Sequence, residues 1–240
     1  MNLFRSLVFS AVLAGALTGI FASVLHLTTT VPLILKAEVY ENTEAAGHHD
    51  AEHEHAADHQ DVAPSALNRN SRTVVAMVLA YVGFALLMNA SGEFSGGLAT
   101  WKSGILWGAA GFLVFSLVPA LGLPPELPGM PAADLRSRQV WWIGTAVMTA
   151  AAIATVYLSA GKTKWLITAA LVTTPFLVGA PHLENVSTNI PSALHLQFVI
   201  TTLLVSCASW LLLGAILGYL RSGRTPYHRQ STSSIRSDTV

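Results

Sequence analysis

The chain has 240 residues, 52% of them hydrophobic and only 11% charged, with a mean hydropathy of +0.52; soluble domains carry about 25% charged residues. Basic and acidic residues cancel at 13 each, which excludes a basic nucleic-acid surface, and no strand followed by a glycine-rich phosphate loop is present, which excludes a nucleotide site and an ATPase. The single Cys207 excludes an intramolecular disulfide and a thiol-only metal site.

Six apolar segments follow in order, at about 4–35, 73–89, 103–121, 140–159, 165–180 and 193–220. Runs such as 7–25 and 140–157 contain no Asp, Glu, Lys or Arg, and about 18 such residues suffice for a membrane helix. The expected fold is therefore an all-α integral membrane protein, a bundle of five to six transmembrane helices over 1–221. The first segment follows Arg5 as a signal peptide would, but it stays apolar to Leu35, beyond the 7–15 residues of a signal core, so it reads as a retained helix. Small residues recur along it at Ala11, Gly15, Gly19 and Ser23, a spacing that makes a flat packing face. His26 shares a side with Ser23 and Thr30. An ionisable group at this depth is a metal-site candidate; the alternative is an imidazole that only reaches the interface.

The stretch from 36 to 72 holds eight of the 13 acidic residues and five of the nine histidines. His48, His49, His53, His55 and His59 alternate with Asp50, Glu52, Glu54 and Asp58. Imidazole and carboxylate suit divalent cations such as cobalt, nickel and zinc, so the loop at about 42–70 is an expected metal trap; the plainer reading is a solvated acidic linker.

Beyond it, Glu93 sits in the turn 91–97 and Glu126 in the proline-rich turn 124–129. As single carboxylates in turns on opposite membrane faces, they could bracket a cation path. Pairs of glycines four apart recur at Gly104/Gly108 and Gly214/Gly218 and read as packing inside one bundle. The fifth segment is the shortest and contains Pro175, which a membrane helix tolerates where neighbours satisfy the freed carbonyl. Between the fifth and sixth segments, His182, Glu184 and His195 flank a proline-marked helix break. Such breaks are where transporters build ion sites; the alternative is a plain connecting loop. The segment 222–240 is Ser/Thr-rich and is expected to be a disordered cytoplasmic tail.

Lys and Arg bias loops toward the cytoplasm. With the amino terminus inside, the inner segments hold eight basic residues and the outer ones five, so both termini are expected in the cytoplasm and the histidine loop in the periplasm. Trp101 and Trp165 would mark the inner interface, Trp141 and Trp142 the outer.

The stretch Val31-Pro-Leu-Ile-Leu-Lys-Ala-Glu-Val-Tyr-Glu41, with Leu121-Gly-Leu-Pro-Pro-Glu-Leu-Pro-Gly-Met-Pro-Ala-Ala-Asp134 and Arg138-Gln-Val-Trp-Trp142, resembles the CbtA family of probable cobalt transporter subunits of bacterial membranes. The resemblance runs from the first helix through the last. It implies cobalt uptake for cobalamin synthesis, together with a small single-span CbtB-type subunit that carries its own histidines. The family is commonly described with five spans, against six apolar segments here. Of the candidate ligands, Glu38, Glu41 and Glu126 lie inside the matching motifs; Glu38 and Glu41 are three apart and would share a helix face.

The reading that results is a metal-ion permease in the bacterial plasma membrane, not an enzyme. The lipid bilayer, a CbtB-type subunit and transported Co2+ (with Ni2+ or Zn2+ as alternatives) are its partners; no cofactor is permanently bound and no nucleic acid is involved. Its rivals are a metal-binding or sensory membrane protein that transports nothing, and a membrane enzyme with a metal on His182, Glu184 and His195, which no accompanying catalytic motif supports.

Overall fold

The computed structural model describes residues 2–46, 66–95, 98, 100–183 and 188–222. Of these, 85% are helical, and no strand occurs among them. Helix α1 (Asn2–Leu25) runs through a π-helical turn (His26–Thr30) into α2 (Val31–Ala46). Then come α3 (Ala66–Ser95), α4 (Trp101–Phe112), a second π-helical turn (Leu113–Leu117), α5 (Val118–Gly122), α6 (Leu135–Leu158), α7 (Thr163–Val178) and α8 (Ser192–Arg221).

The two wide turns share a cause. In each, a valine N–H reaches back five residues, from Val31 to the His26 carbonyl and from Val118 to the Leu113 carbonyl. Each valine precedes a proline, Pro32 or Pro119. Proline has no N–H to donate, and its ring collides with the carbonyl four residues earlier in a regular helix. One extra residue in the turn lets the helix continue past that collision.

Helix starts follow from side-chain caps. Thr100 and Ser103 form a reciprocal capping box at α4, with Ser103 N–H donating to Thr100 Oγ1 and Thr100 N–H to Ser103 Oγ, both at 3.1 Å. At α6, the exposed Asp134 carboxylate accepts from the Ser137 N–H at 2.9 Å and the Ser137 hydroxyl at 3.0 Å. The backbone hydrogen bond, then the hydroxyl, hold the Asp134 pKa below its ordinary 3.8. The cap's contribution is therefore complete above pH 3.8 and fades as the pH falls through the lowered value. Protection of the Ser137 amide from hydrogen exchange, taken relative to its intrinsic rate at each pH, is expected to fall only in that acid range; no protection at neutral pH would contradict the cap.

Two glycine faces set how closely the helices approach. On α1, Gly15 and Gly19 lie against the backbone of Val82 and Val78 on α3. On α4, Gly104 and Gly108 lie against Gly214, Gly218 and the Trp210 carbonyl on α8. With almost no hydrophobic driving force between helices in lipid, such backbone proximity is what supplies packing energy. The glycine spacings thus work inside one bundle, as the sequence suggests. Above this seam Trp210 stacks on Phe115, rings 5.5 Å apart and 4° from parallel, with Phe84 4.8 Å from the Trp210 ring.

Helix α7 folds back along α6. Near one end of this hairpin the Lys164 ammonium donates to the Val156 carbonyl (3.4 Å); near the other the Trp141 indole donates to the Pro175 carbonyl (3.1 Å). Trp141 is consequently buried in the hairpin rather than displayed at an interface, and Trp142 turns toward Phe115 at 6.2 Å. Lys102 and Lys164 do stand over the rings of Trp101 and Trp165, at 5.8 and 5.4 Å.

Five helices are long and apolar enough to cross a membrane. α7, with 16 residues, spans about 24 Å, short of the ~30 Å hydrocarbon layer. It nevertheless reaches back along α6 from Val156 to Trp141, so the described residues hold five long apolar helices and a shorter one beside them, and the chain is a multi-pass membrane protein. The apolar helix 3–40 has 38 residues, about 57 Å, so α2 projects beyond any bilayer that holds α1.

The described ends of the chain meet at one end of the bundle. Asn89 on α3 is buried and donates to the Leu7 carbonyl (2.9 Å) and to Ser10 Oγ (3.0 Å); Arg221 on α8 donates to Asn89 Oδ1 (3.4 Å) and pairs with Glu93. Glu126 and His195 lie at the opposite end. Most of the loop expected at 42–70 and of the tail expected from 222 lies outside the described residues.

Candidate functional site

The end that carries Glu126 is tied together by a small apolar knot. Leu33 and Ala37 of α2, Leu127 of the α5–α6 connection, Ile190, and Phe198 of α8 are buried against one another, with Ile34, Met130 and Leu194 packed around them. Ala37, Leu127 and Leu194 are the chain neighbours of Glu38, Glu126 and His195. The knot therefore delivers two carboxylates and an imidazole, far apart in sequence, to the same end of the molecule.

Two polar contacts fix this end further. The Glu126 carboxylate is held by Arg138 of α6 at 2.7 Å, both side chains about three-quarters buried. One residue earlier, the Pro125 carbonyl lies 3.0 Å from His195 Nε2. Together they lash the proline-rich connection to α6 on one side and to α8 on the other. The connection is rigid at its start because three of its five residues 124–128 are prolines, each with φ fixed by its ring.

The other candidate ligands are distributed as follows. His26 opens the first π-helical turn and is half-buried, its carbonyl taken by Val31; Ser23 uses its hydroxyl on the Gly19 carbonyl (2.7 Å), and Thr30 is buried. Glu38 is half-buried on α2. Glu41 lies one helical turn further along the same helix. His182 is exposed just beyond Gly179, which ends α7 at a φ of 85°. His48, His49, His53, His55, His59 and Glu184 lie outside the described residues. Among the described residues, no three His, Cys, Asp or Glu side chains are grouped closely enough to hold a metal ion.

Beside the Glu126–Arg138 pair opens a cavity of about 750 Å³ bounded by the second π-helical turn, α5, the proline-rich connection, α6 and α8. Pro124, Pro125, Arg138 and Gln139 stand at its head; Thr202 and the pair Ser116 and Ser206 lie deeper. The two serine hydroxyls bond each other at 2.7 Å. Arg138 Nε and Thr202 Oγ1 are both buried without a hydrogen-bond partner. Sequence reasoning counted Arg138 only as a loop charge and passed over Ser116, Thr202 and Ser206. Arg138 could have been suspected from its place in the stretch 138–142; the hydroxyls carry no signal until α8 is set against the π-helical turn.

A family model described as a probable cobalt transporter subunit (CbtA) matches residues 4–222 of the chain. No curated protein and no solved structure matches it.

Proposed function

The chain belongs to the CbtA family of probable cobalt transporter subunits, and on that premise we propose that it carries Co2+ inward across a bacterial plasma membrane for cobalamin synthesis, with a small single-span CbtB-type subunit. The observation that carries this reading is the family match, which covers the whole helical bundle. Both termini would then be cytoplasmic, and the Glu126 end and the histidine loop periplasmic.

In this reading His48, His49, His53, His55 and His59 collect the cation outside. Glu38 and Glu41, on the part of α2 that projects past the bilayer, receive it at the periplasmic end, and His182 and Glu184, between the fifth and sixth apolar segments, are further ligands. Glu126 and His195 then admit it, with His26 below them on the first helix. Glu126 does not wait as a bare charge, because the Arg138 guanidinium already neutralises it. An arriving divalent cation must displace that tethered monovalent one, so weakly charged solutes are refused. His195 is suited to coordination in the tautomer with Nε2 protonated, because that N–H donates to the Pro125 carbonyl and leaves Nδ1 as the ligating nitrogen, as second partners do for metal-bound imidazoles. The driving force is the membrane potential, about 2.3 kcal/mol per charge per 100 mV, or a partner.

Radioactive cobalt uptake tests this in cells lacking other importers, with and without the small subunit. Glu126→Gln and His195→Ala are each expected to lower uptake about tenfold, the loss that follows from removing one charge-assisted contact of ~1.5 kcal/mol. Deleting residues 48–59 should slow uptake at low cobalt and spare it at high cobalt. If the intact chain takes up no cobalt under any condition while the purified protein still binds it, the protein is a binding or sensory module and not a permease.

A further inference from the structure

The cavity beside Arg138 does not suit a metal cation. Its head is formed by a guanidinium and an amide, its floor by two hydroxyls that satisfy one another, and no carboxylate lines it. What it lacks is an acceptor: Arg138 Nε and Thr202 Oγ1 are buried donors with nothing to bind, and buried polar groups in proteins are nearly always paired. Between these two groups and below them the walls are hydrocarbon, chiefly Phe115, Leu123, Trp142, Ile143 and Leu203.

The polar groups are also ordered by depth. Arg138 is the fourth residue of α6, close to the Glu126 end. Thr202 and Ser206 lie ten and fourteen residues beyond Ser192 on α8, about 15 and 21 Å down that helix. The cavity is therefore long, with the Arg138 guanidinium of the Glu126–Arg138 pair at its outer end, a hydroxyl midway and an apolar interior whose deepest hydroxyls bond each other. At about 750 Å³ it falls within the ~300–1,000 Å³ of small-molecule pockets.

We propose that this cavity is a binding site for a membrane phospholipid, its phosphodiester set against Arg138, an ester carbonyl against Thr202 and one acyl chain lying between Phe115, Trp142 and Leu203. Arginine suits this because its planar guanidinium offers donors on two edges: Nη2 holds Glu126, while Nε has no partner. The ligand would join the second π-helical turn and α8 to α6 where these elements part. Arg138 also holds Glu126, so the proposal is tested by lipid retention and not by cobalt uptake.

The full chain, purified in mild detergent, is to be extracted and its retained phospholipid quantified by mass spectrometry, then thermally unfolded after lipid removal with added phosphatidylglycerol or inorganic phosphate. The intact chain is expected to retain lipid near a one-to-one ratio. Arg138→Gln and Thr202→Val should each lower retention, Arg138→Gln by about tenfold because a charge-assisted contact is lost. Leu203→Trp, which fills the apolar part, should abolish it. Phosphatidylglycerol should raise the midpoint of the stripped intact chain, as a ligand of the folded state must, and leave the Leu203→Trp chain unmoved. Equal retention by all folded variants would overturn the proposal. So would an equal midpoint shift with inorganic phosphate alone, which would make the occupant a free anion. If Leu203→Trp does not fold, Thr202→Val decides, since it keeps the side-chain volume and removes only the hydroxyl.

Discussion

Replacing Gly104 by valine is expected to eliminate the folded bundle. A Cβ at Gly104 would fall well inside van der Waals distance of the Gly214 carbonyl, and one at Gly214 would do the same to Gly104. The obstruction is backbone on both sides, so no side-chain rotation relieves it, and α4 and α8 would have to separate along their whole seam. Ordinary overpacking costs about 1–3 kcal/mol; prying apart one of the two most extensive helix interfaces of a protein with ~5–15 kcal/mol of total stability removes most of what there is. The measurement is the yield of monodisperse protein on size exclusion, with Gly83→Ala as comparison. Nothing lies within 4 Å of a Cβ placed at Gly83, and alanine there should be neutral or stabilising by up to about 1 kcal/mol. A monodisperse, normally stable Gly104→Val chain would show that the two glycine faces do not meet.

The second large effect is expected at Asn89. Only 1% of it is exposed, and its single amide joins three helices: it donates to α1 at Leu7 and Ser10 and accepts from Arg221 of α8. Leucine is close in size but leaves the Leu7 carbonyl and the guanidinium without this partner. Interhelical hydrogen bonds in membranes contribute about 0.6–2 kcal/mol, and a buried group left unsatisfied costs about 1–3 kcal/mol, so Asn89→Leu should lower stability by about 1–3 kcal/mol. Glu93→Gln, which keeps a hydrogen-bonding side chain beside Arg221, should cost less. Thermal unfolding in detergent compares them; an unchanged midpoint for Asn89→Leu would mean that the amide is not what ties these helix ends together.

The helices were legible in the sequence because lipid demands long charge-free runs, and each of the six apolar segments lies within, or within two residues of, a helical stretch of the structure. What the runs could not reveal is how a helix continues past its apolar part. α2 carries Lys36, Glu38 and Glu41 without stopping, since helix formation depends on backbone bonding and not on hydropathy. The π-helical turns were hidden for a related reason: Val31-Pro32 and Val118-Pro119 are visible as dipeptides, but whether a proline ends, kinks or widens a helix is decided by what packs around it. Of the site, Glu126 and His195 could be picked out as polar residues near helix breaks. Their contacts could not, because Arg138 and the Pro125 carbonyl are reached through a knot of apolar residues from four parts of the chain. Trp141 shows the opposite error: as an aromatic near a helix end it resembles an interfacial anchor, yet a partner carbonyl at Pro175 draws it inward.

The glycine seams and the α6–α7 hairpin divide the bundle into parts of unequal stiffness. α1, α3, α4 and α8 are locked by backbone proximity and by the Asn89–Arg221 network at one end. The hairpin packs chiefly on itself and joins the rest through α5 and the second π-helical turn, near the Glu126 end. It is in effect a lever with its fulcrum at the Glu126–Arg138 pair. Its far end, at the short connection 159–162, makes no glycine contact, since nothing lies within 4 Å of a Cβ placed at Gly161, so a rocking motion of the kind transporters use to expose a site to alternate sides is expected to be largest there.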